Sequence, residues 1–131
     1  MKKQTITIKP IGHVENQFDA PTQGDLIREG ESRLVIKSEL VDGLDGIEAG
    51  QEIVILFYFH LAAPEGYSLR QHPRGDRSRP ERGVFALRSP YRPNHIGVTT
   101  VEVVTCEGNT LTVTGLDAIN QTPVLDIKKV W

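Results

Sequence analysis

The chain has 131 residues, of which 38% are hydrophobic and 24% charged, and its formal net charge is −2. That length forms one domain, residues 1–131, large enough to bury an ordinary core, and the composition is that of a soluble globular protein. A lone cysteine, Cys106, excludes an internal disulfide and a cysteine-built metal cage, while the longest apolar run, Ile53 to Phe59, falls far short of the roughly 18 residues a membrane span needs.

Met1 to Thr5 contains no apolar signal core, so nothing marks the chain for export and the cytoplasm is the expected location. Thr5 to Lys9 alternates Thr-Ile-Thr-Ile-Lys, which predicts a half-buried strand that Pro10 interrupts. Gly12 to Asp25 reads as irregular, with Pro21 and Gly24 as breakers, and Arg33 to Leu40 reads as a strand. Asp42-Gly43-Leu44-Asp45-Gly46 carries two Asp-Gly turn signals. Gln51 to His60 holds a β-branched and aromatic run, apolar on both faces, which predicts a central strand covered on both sides.

Ala62 to Arg82 has no hydrophobic period and is punctuated by Pro64, Gly66, Pro73, Gly75 and Pro80, so it is predicted to be a long loop. Gly83 to Arg88 and Gly97 to Cys106 resume strand patterns. Asn109 to Gly115 pairs with the latter across a Glu107-Gly108-Asn109 turn, and Pro123 to Val130 makes a last short strand. Helical signals are nearly absent, and there are no repeats or linkers. The fold class is therefore all-β: a barrel or sandwich of about six to eight short strands with a long arginine-rich loop.

Charge is unevenly distributed. Seven of the nine arginines (Arg70, Arg74, Arg77, Arg79, Arg82, Arg88 and Arg92) lie between Tyr67 and His95, with only Asp76 and Glu81 against them. Arginine's planar fork suits phosphate or a stacked base better than lysine does, so this strip points to a local anionic partner or, more plainly, to a solvated loop. Neither a Gly-x-Gly-x-x-Gly nor a phosphate-binding Gly-x-x-x-x-Gly-Lys is present, which argues against Rossmann and P-loop enzymes. His13, His60, His72 and His95 lack ligand spacing, and no metal site is expected.

Two stretches carry chemistry. From Gly83 to Gly97, Pro90 and Pro93 stiffen a turn that presents Arg88, Ser89, Arg92 and Asn94 on a rigid ledge, or merely brace a corner. From Gly115 to Lys128, Asp117 and Asp126 flank the polar turn Asn120-Gln121-Thr122-Pro123. A buried Asp126 would need a partner such as Arg88 or Arg92; the alternative is a surface salt bridge.

Together these stretches resemble the TsaA-like (TrmO-type) family of S-adenosylmethionine-dependent methyltransferases. The pattern VFxxRSPxRPNxIG is matched from Val84-Phe85 through Gly97, and LDxxDxTPVxDIK from Leu116 through Lys128; Phe59-His60 matches the family's strand ending, and Ile11-Gly12 with Pro21-Thr22-Gln23 resembles IG…PRQ. The resemblance implies a single β-barrel, usually a homodimer, that methylates N6 of threonylcarbamoyladenosine at position 37 of tRNA.

Carried over by position, the resemblance makes Pro21, Thr22, Gln23, His60, Leu61, Arg88, Thr100, Leu116, Asp117, Ala118 and Ile119 cofactor-lining. Ser89, Pro90, Arg92 and Asn94 would shape the same pocket or a neighbouring subunit's contact with it. The chain departs from the family at Thr22, which replaces an arginine, at Val14 to Phe18, and at Asn120-Gln121, which replaces Asp-Gly and so loses a glycine suited to positive φ. Longer members continue into a second, smaller domain.

Methyl transfer from a sulfonium asks the protein mainly for alignment, and a weakly nucleophilic adenine N6 also needs a proton acceptor, for which Asp126 and His60 are the candidates. Arg70, Arg74, Arg77, Arg79, Arg92 and Asn94 are the candidate RNA contacts. A methyltransferase for a small-molecule acceptor and a non-catalytic RNA-binding barrel are the alternatives.

Overall fold

The computed structural model describes residues 4–20 and 24–131. Six antiparallel strands close a barrel in the order β1-β2-β7-β6-β3-β8: β1 (Gly12–Glu15), β2 (Glu31–Ile36), β3 (Glu52–Tyr58), β6 (Ile96–Glu107), β7 (Thr110–Thr114) and β8 (Pro123–Lys129). Two short strands outside it, β4 (Arg70–Gln71) and β5 (Arg82–Gly83), pair with each other. The one α-helix among the described residues, α1 (Gly24–Glu29), has Asp25 in its first turn and Arg28 in its last, matching the helix dipole.

The barrel is filled by alternate residues of its strands. Ile53, Ile55 and Phe57 of β3 point inward with Leu34 and Ile36 of β2, Val101 and Val103 of β6, Leu111 and Val113 of β7, and Val14 and Val124. The outward residues of β3, Val54, Leu56 and Tyr58, are only half-buried, so the strand is covered fully on one side and partly on the other. β6 is long enough to serve two neighbours: Ile96 to Glu102 pair with β3, whereas the β7 ladder begins only at Glu102 opposite Thr114. Among the described residues, the first half of β6 therefore has a strand on one side only, and the barrel wall is open beside it.

Several expectations are corrected. Thr5 to Lys9 forms no strand and pairs with none among the described residues, with Ile6 78% exposed; it is β1 that occupies the place between β2 and β8. The stretch read as irregular thus contains β1 and the start of α1, both too short to declare a period. Ser38 to Leu44 is a 3-10 turn rather than the end of β2. Val84 to Ala86 is also a 3-10 turn rather than a strand: Val84 is inserted into the core and Phe85 is left outside. The arginine-rich segment is not featureless, since β4 and β5 tie its ends together.

Gly12 shows why the motif Ile11-Gly12 ends in glycine. A Cβ there would collide with the Val35 carbonyl oxygen, a main-chain atom of the paired strand that cannot swing aside. Gly12→Ala is expected to cost about 1–3 kcal/mol, read as a lower urea midpoint at unchanged slope; an unmoved midpoint would show that the β1–β2 ladder yields without strain.

Candidate functional site

A cleft at the rim of the barrel is lined from three directions. β3 runs past the barrel rim and delivers Phe57, Phe59, His60 and Leu61; the proline-braced ledge delivers Arg88, Pro90 and Tyr91; and the turn before β8 delivers Asp117, Ala118 and Ile119. These enclose a cleft of about 400 Å³, within the range of small-molecule sites. A second cleft, of about 550 Å³, lies against the half of β6 that β7 does not cover and shares Arg28, Phe57, Phe59, Arg88 and Asp117 with the first.

The ledge owes its shape to its own side chains. The Arg92 guanidinium donates to the carbonyls of Leu87 and Ser89 at 3.1 and 3.2 Å, and His95 Nδ1 donates to the Pro90 carbonyl at 2.9 Å. Ser89 Oγ accepts from the Tyr91 amide at 3.2 Å. Arg88 donates to the Val98 carbonyl at 3.1 Å, fastening the ledge to the open edge of β6. Gly97 is required where that edge passes the aromatic pair, for a Cβ would stand 2.6 Å from the Phe57 ring and 2.8 Å from that of Phe59.

The opposite wall is held by Asn16. Its side-chain amide donates to the Ala118 carbonyl at 2.9 Å and to Ser32 Oγ at 3.0 Å, while its backbone N–H donates to Asn120 Oδ1 at 3.1 Å. Gln121 retains the left-handed backbone that a glycine would favour, with φ 69°, and its N–H donates to the Val14 carbonyl at 2.7 Å. The turn thus survives the loss of glycine at a strain of about 1–2 kcal/mol.

Electrostatically the first cleft is balanced, with Asp25, Glu65 and Asp117 against Arg28, Arg74 and Arg88. Asp117 accepts from Arg28 at 2.8 Å and from Thr99 Oγ1 at 2.7 Å. The hydrogen bond to Asp117, and then its charge, raise the Arg28 guanidinium further above its ordinary value. Exposed pairs of this kind contribute about 0–1 kcal/mol to stability, so the contact orients the carboxylate more than it holds the fold. His60 Nδ1 is buried without a hydrogen-bond partner among the described residues, an arrangement that costs free energy unless a ligand satisfies it.

Of the residues expected at a site, His60, Leu61, Arg88, Pro90, Asp117, Ala118, Ile119 and Arg74 meet in the first cleft. Thr100 and Arg92 lie in the second. Leu116 is fully buried in the barrel core, and Ser89 shapes the ledge. Pro21, Thr22 and Gln23 lie outside the described residues. Asn94 faces a separate surface with Ile8, Tyr58 and Leu125.

Asp126 is placed elsewhere again, in a groove with Leu40 and Ile127. Of the two alternatives for Asp126, a buried carboxylate paired with Arg88 or Arg92 and a surface salt bridge, the second holds: it is exposed and lies 3.5 Å from Lys128, while Arg88 donates to the Val98 carbonyl of β6 and Arg92 to the Leu87 carbonyl of the ledge. Arg70 approaches Glu81 at 3.8 Å, whereas Arg77 and Arg79 are exposed with no ion pair among the described residues. The sequence reading missed Arg28, Phe57, Glu65, Tyr91 and Thr99. Arg28 lies outside the arginine-rich strip, and only folding brings it to Asp117.

Comparison with known proteins agrees with the motifs. Residues 12–131 match the family model described as the tRNA-methyltransferase O N-terminal domain. A probable S-adenosyl-L-methionine-binding protein of Methanothermobacter thermautotrophicus is 44% identical over 135 residues, covering 100% of this chain and 94% of its own. The tRNA (adenine(37)-N6)-methyltransferase of Rattus norvegicus is 36% identical over 129 residues, 92% of this chain but 30% of the rat protein. The crystal structure of TrmO from Pseudomonas aeruginosa superposes with a TM-score of 0.75 at 31% identity, over 98% of this chain and 57% of that one. The chain therefore spans little more than half of that solved structure.

The negative charge of Glu65, and secondarily burial, push the Tyr91 phenol above its usual value of 10.0. In an alkaline titration followed by phenolate absorbance, Tyr91 is expected to ionise late, and Glu65→Gln to bring it down. An identical midpoint in the variant would separate the two groups in solution.

Proposed function

The chain belongs to the family of tRNA-methyltransferase O N-terminal domains, and on that premise we propose that it is an S-adenosylmethionine-dependent methyltransferase acting on N6 of threonylcarbamoyladenosine at position 37 of tRNA. The observation that carries this reading is convergence: segments around His60, Arg88 and Asp117, far apart in sequence, wall a single cleft.

The cleft's residues fit the cofactor. Phe59 and Leu61, beside the largely buried Phe57 and Ile119, offer apolar surface for an adenine. The balance of three carboxylates and three guanidiniums suits a ligand that combines a sulfonium, an ammonium and a carboxylate, and it avoids excess positive charge. The unpartnered His60 Nδ1 is a polar contact in reserve. When bound, S-adenosylmethionine would supply a methyl already activated on sulfur; its transfer would break the carbon–sulfur bond as a carbon–nitrogen bond forms, and the N6 proton would leave to an acceptor.

The protein's part is then to bind, align and receive that proton. Of the two candidate acceptors, His60 lines the cleft, whereas Asp126 is in another groove, so His60 takes the role in this proposal. Arg77 and Arg79, exposed on the segment tied by β4 and β5, are left to meet RNA phosphates. Arg74 lines the cofactor cleft as well and is a poorer probe of RNA contact alone.

The test is transfer of labelled methyl from S-adenosylmethionine into matched tRNA pools with and without threonylcarbamoyladenosine. Label confined to the modified pool is the expected result. Label in neither pool, with the cofactor bound, would direct attention to a small-molecule acceptor; RNA binding without cofactor binding would indicate a non-catalytic barrel. Replacing Arg77 and Arg79 with Gln is expected to flatten the logarithmic salt dependence of RNA affinity by about 0.7–0.9 for each lost phosphate contact. An unaltered slope would remove that segment from the RNA interface.

A further inference from the structure

We propose that the second cleft receives the acceptor base and that the ring of Phe85 is the face on which it stacks. The inference rests on the RNA-methyltransferase reading above and adds where the RNA is read. A single exposed hydrophobic side chain is ordinary on a protein surface, so the exposure of Phe85, at 78%, decides nothing alone. Its setting does.

Phe85 sits in a 3-10 turn pinned on one side by Val84, which is 1% exposed, and closed by the Leu87 N–H donating to the Val84 carbonyl at 3.0 Å. The ring is therefore held outward by the backbone rather than left there by a loose loop. It forms one wall of a cleft of about 550 Å³ whose other walls include Ile96, Val98 and Thr100 from the half of β6 that β7 does not cover. Arg88 and Arg92 line the same cleft and are immobilised by carbonyls of the ledge and of β6. A flat apolar face flanked by guanidiniums is the surface on which an unstacked nucleobase is held, with sequence read little and the backbone charge met nearby.

Position relative to the cofactor adds the second argument. The two clefts share Arg28, Phe57, Phe59, Arg88 and Asp117, so a base in one lies against the same side chains as a ligand in the other. A methyl acceptor must approach the donor from a neighbouring site rather than from within the donor's own pocket, and this cleft shares those walls.

The experiment compares wild type, Phe85→Ala and Phe85→Tyr in three measurements: calorimetric affinity for S-adenosylmethionine, affinity for a tRNA anticodon stem-loop in the presence of S-adenosylhomocysteine, and oligomeric state. Loss of one base–aromatic stack is expected to weaken RNA binding about 5- to 140-fold in Phe85→Ala, with Phe85→Tyr close to wild type and cofactor affinity unchanged in both. RNA affinity unchanged by Phe85→Ala, in a protein whose wild type methylates tRNA, would overturn the cleft assignment and leave the proposed function standing. A dimer that dissociates on substitution while RNA affinity holds would give this face to a second copy of the chain and likewise overturn it. A wild type that neither binds nor methylates the RNA would sink the proposed function and this inference with it.

Discussion

Everything at the site depends on how the barrel closes. β1 has only four residues, yet it hydrogen-bonds to β2 on one edge and β8 on the other, and Gly12 belongs to both ladders, opposite Ile36 and Val124. Closure through so short a strand pairs edges of β2 and β8 that an open sheet would expose. It also reaches the site directly, because the Val14 N–H donates to the Thr122 carbonyl at 2.9 Å and the Gln121 N–H returns a bond to Val14 at 2.7 Å. The turn that carries Asp117 to Ile119 is thereby an extension of β1, and Asn16, one residue past the strand, anchors it a second time.

The second constraint is the mismatch between β6 and its neighbours. β6 has 12 residues, against seven in β3 and five in β7, and the two ladders overlap only at Glu102, so its first half pairs with β3 alone. The second cleft lies against that half, and the first adjoins it through the shared Phe57, Phe59 and Arg88. Arg88 partly compensates by donating to Val98, and the Phe57–Phe59 edge-to-face pair, with centroids 5.2 Å apart, fills the rim. Glycine at position 97 lets the strand pass those rings. The site is thus not added to the barrel; it is the place where the ladder leaves the wall open.

The positive charge that stands out in the composition divides into two uses that composition cannot separate. Arg92 donates to carbonyls of a turn rich in proline, where missing N–H donors make side-chain donors valuable, and Arg88 donates to the Val98 carbonyl on the edge of β6. Arg77 and Arg79 stay in solvent. Residues with the same side chain in one strip therefore carry structural and surface roles according to whether an unpaired carbonyl lies within reach.

Much of this was legible from the sequence. The β-branched runs of β3, β6, β7 and β8 announced themselves because a strand's period is local, and the turn at Gly108 sits where Gly adopts a φ of 58°. The motifs also pointed to His60, Arg88 and Asp117 as members of one site. What the tertiary structure alone decided was set by partners distant in the chain: that Thr5 to Lys9 stays unpaired, that Val84 to Ala86 turns instead of extending, that Asp126 faces Lys128, and that Arg28 meets Asp117 across 89 positions. The sequence determined which segments could be strands and which residue types could do chemistry, since those follow from each residue and its near neighbours. Which carbonyl an arginine satisfies and which edge a short strand completes depend on where the closed barrel brings them, and only the fold holds that information.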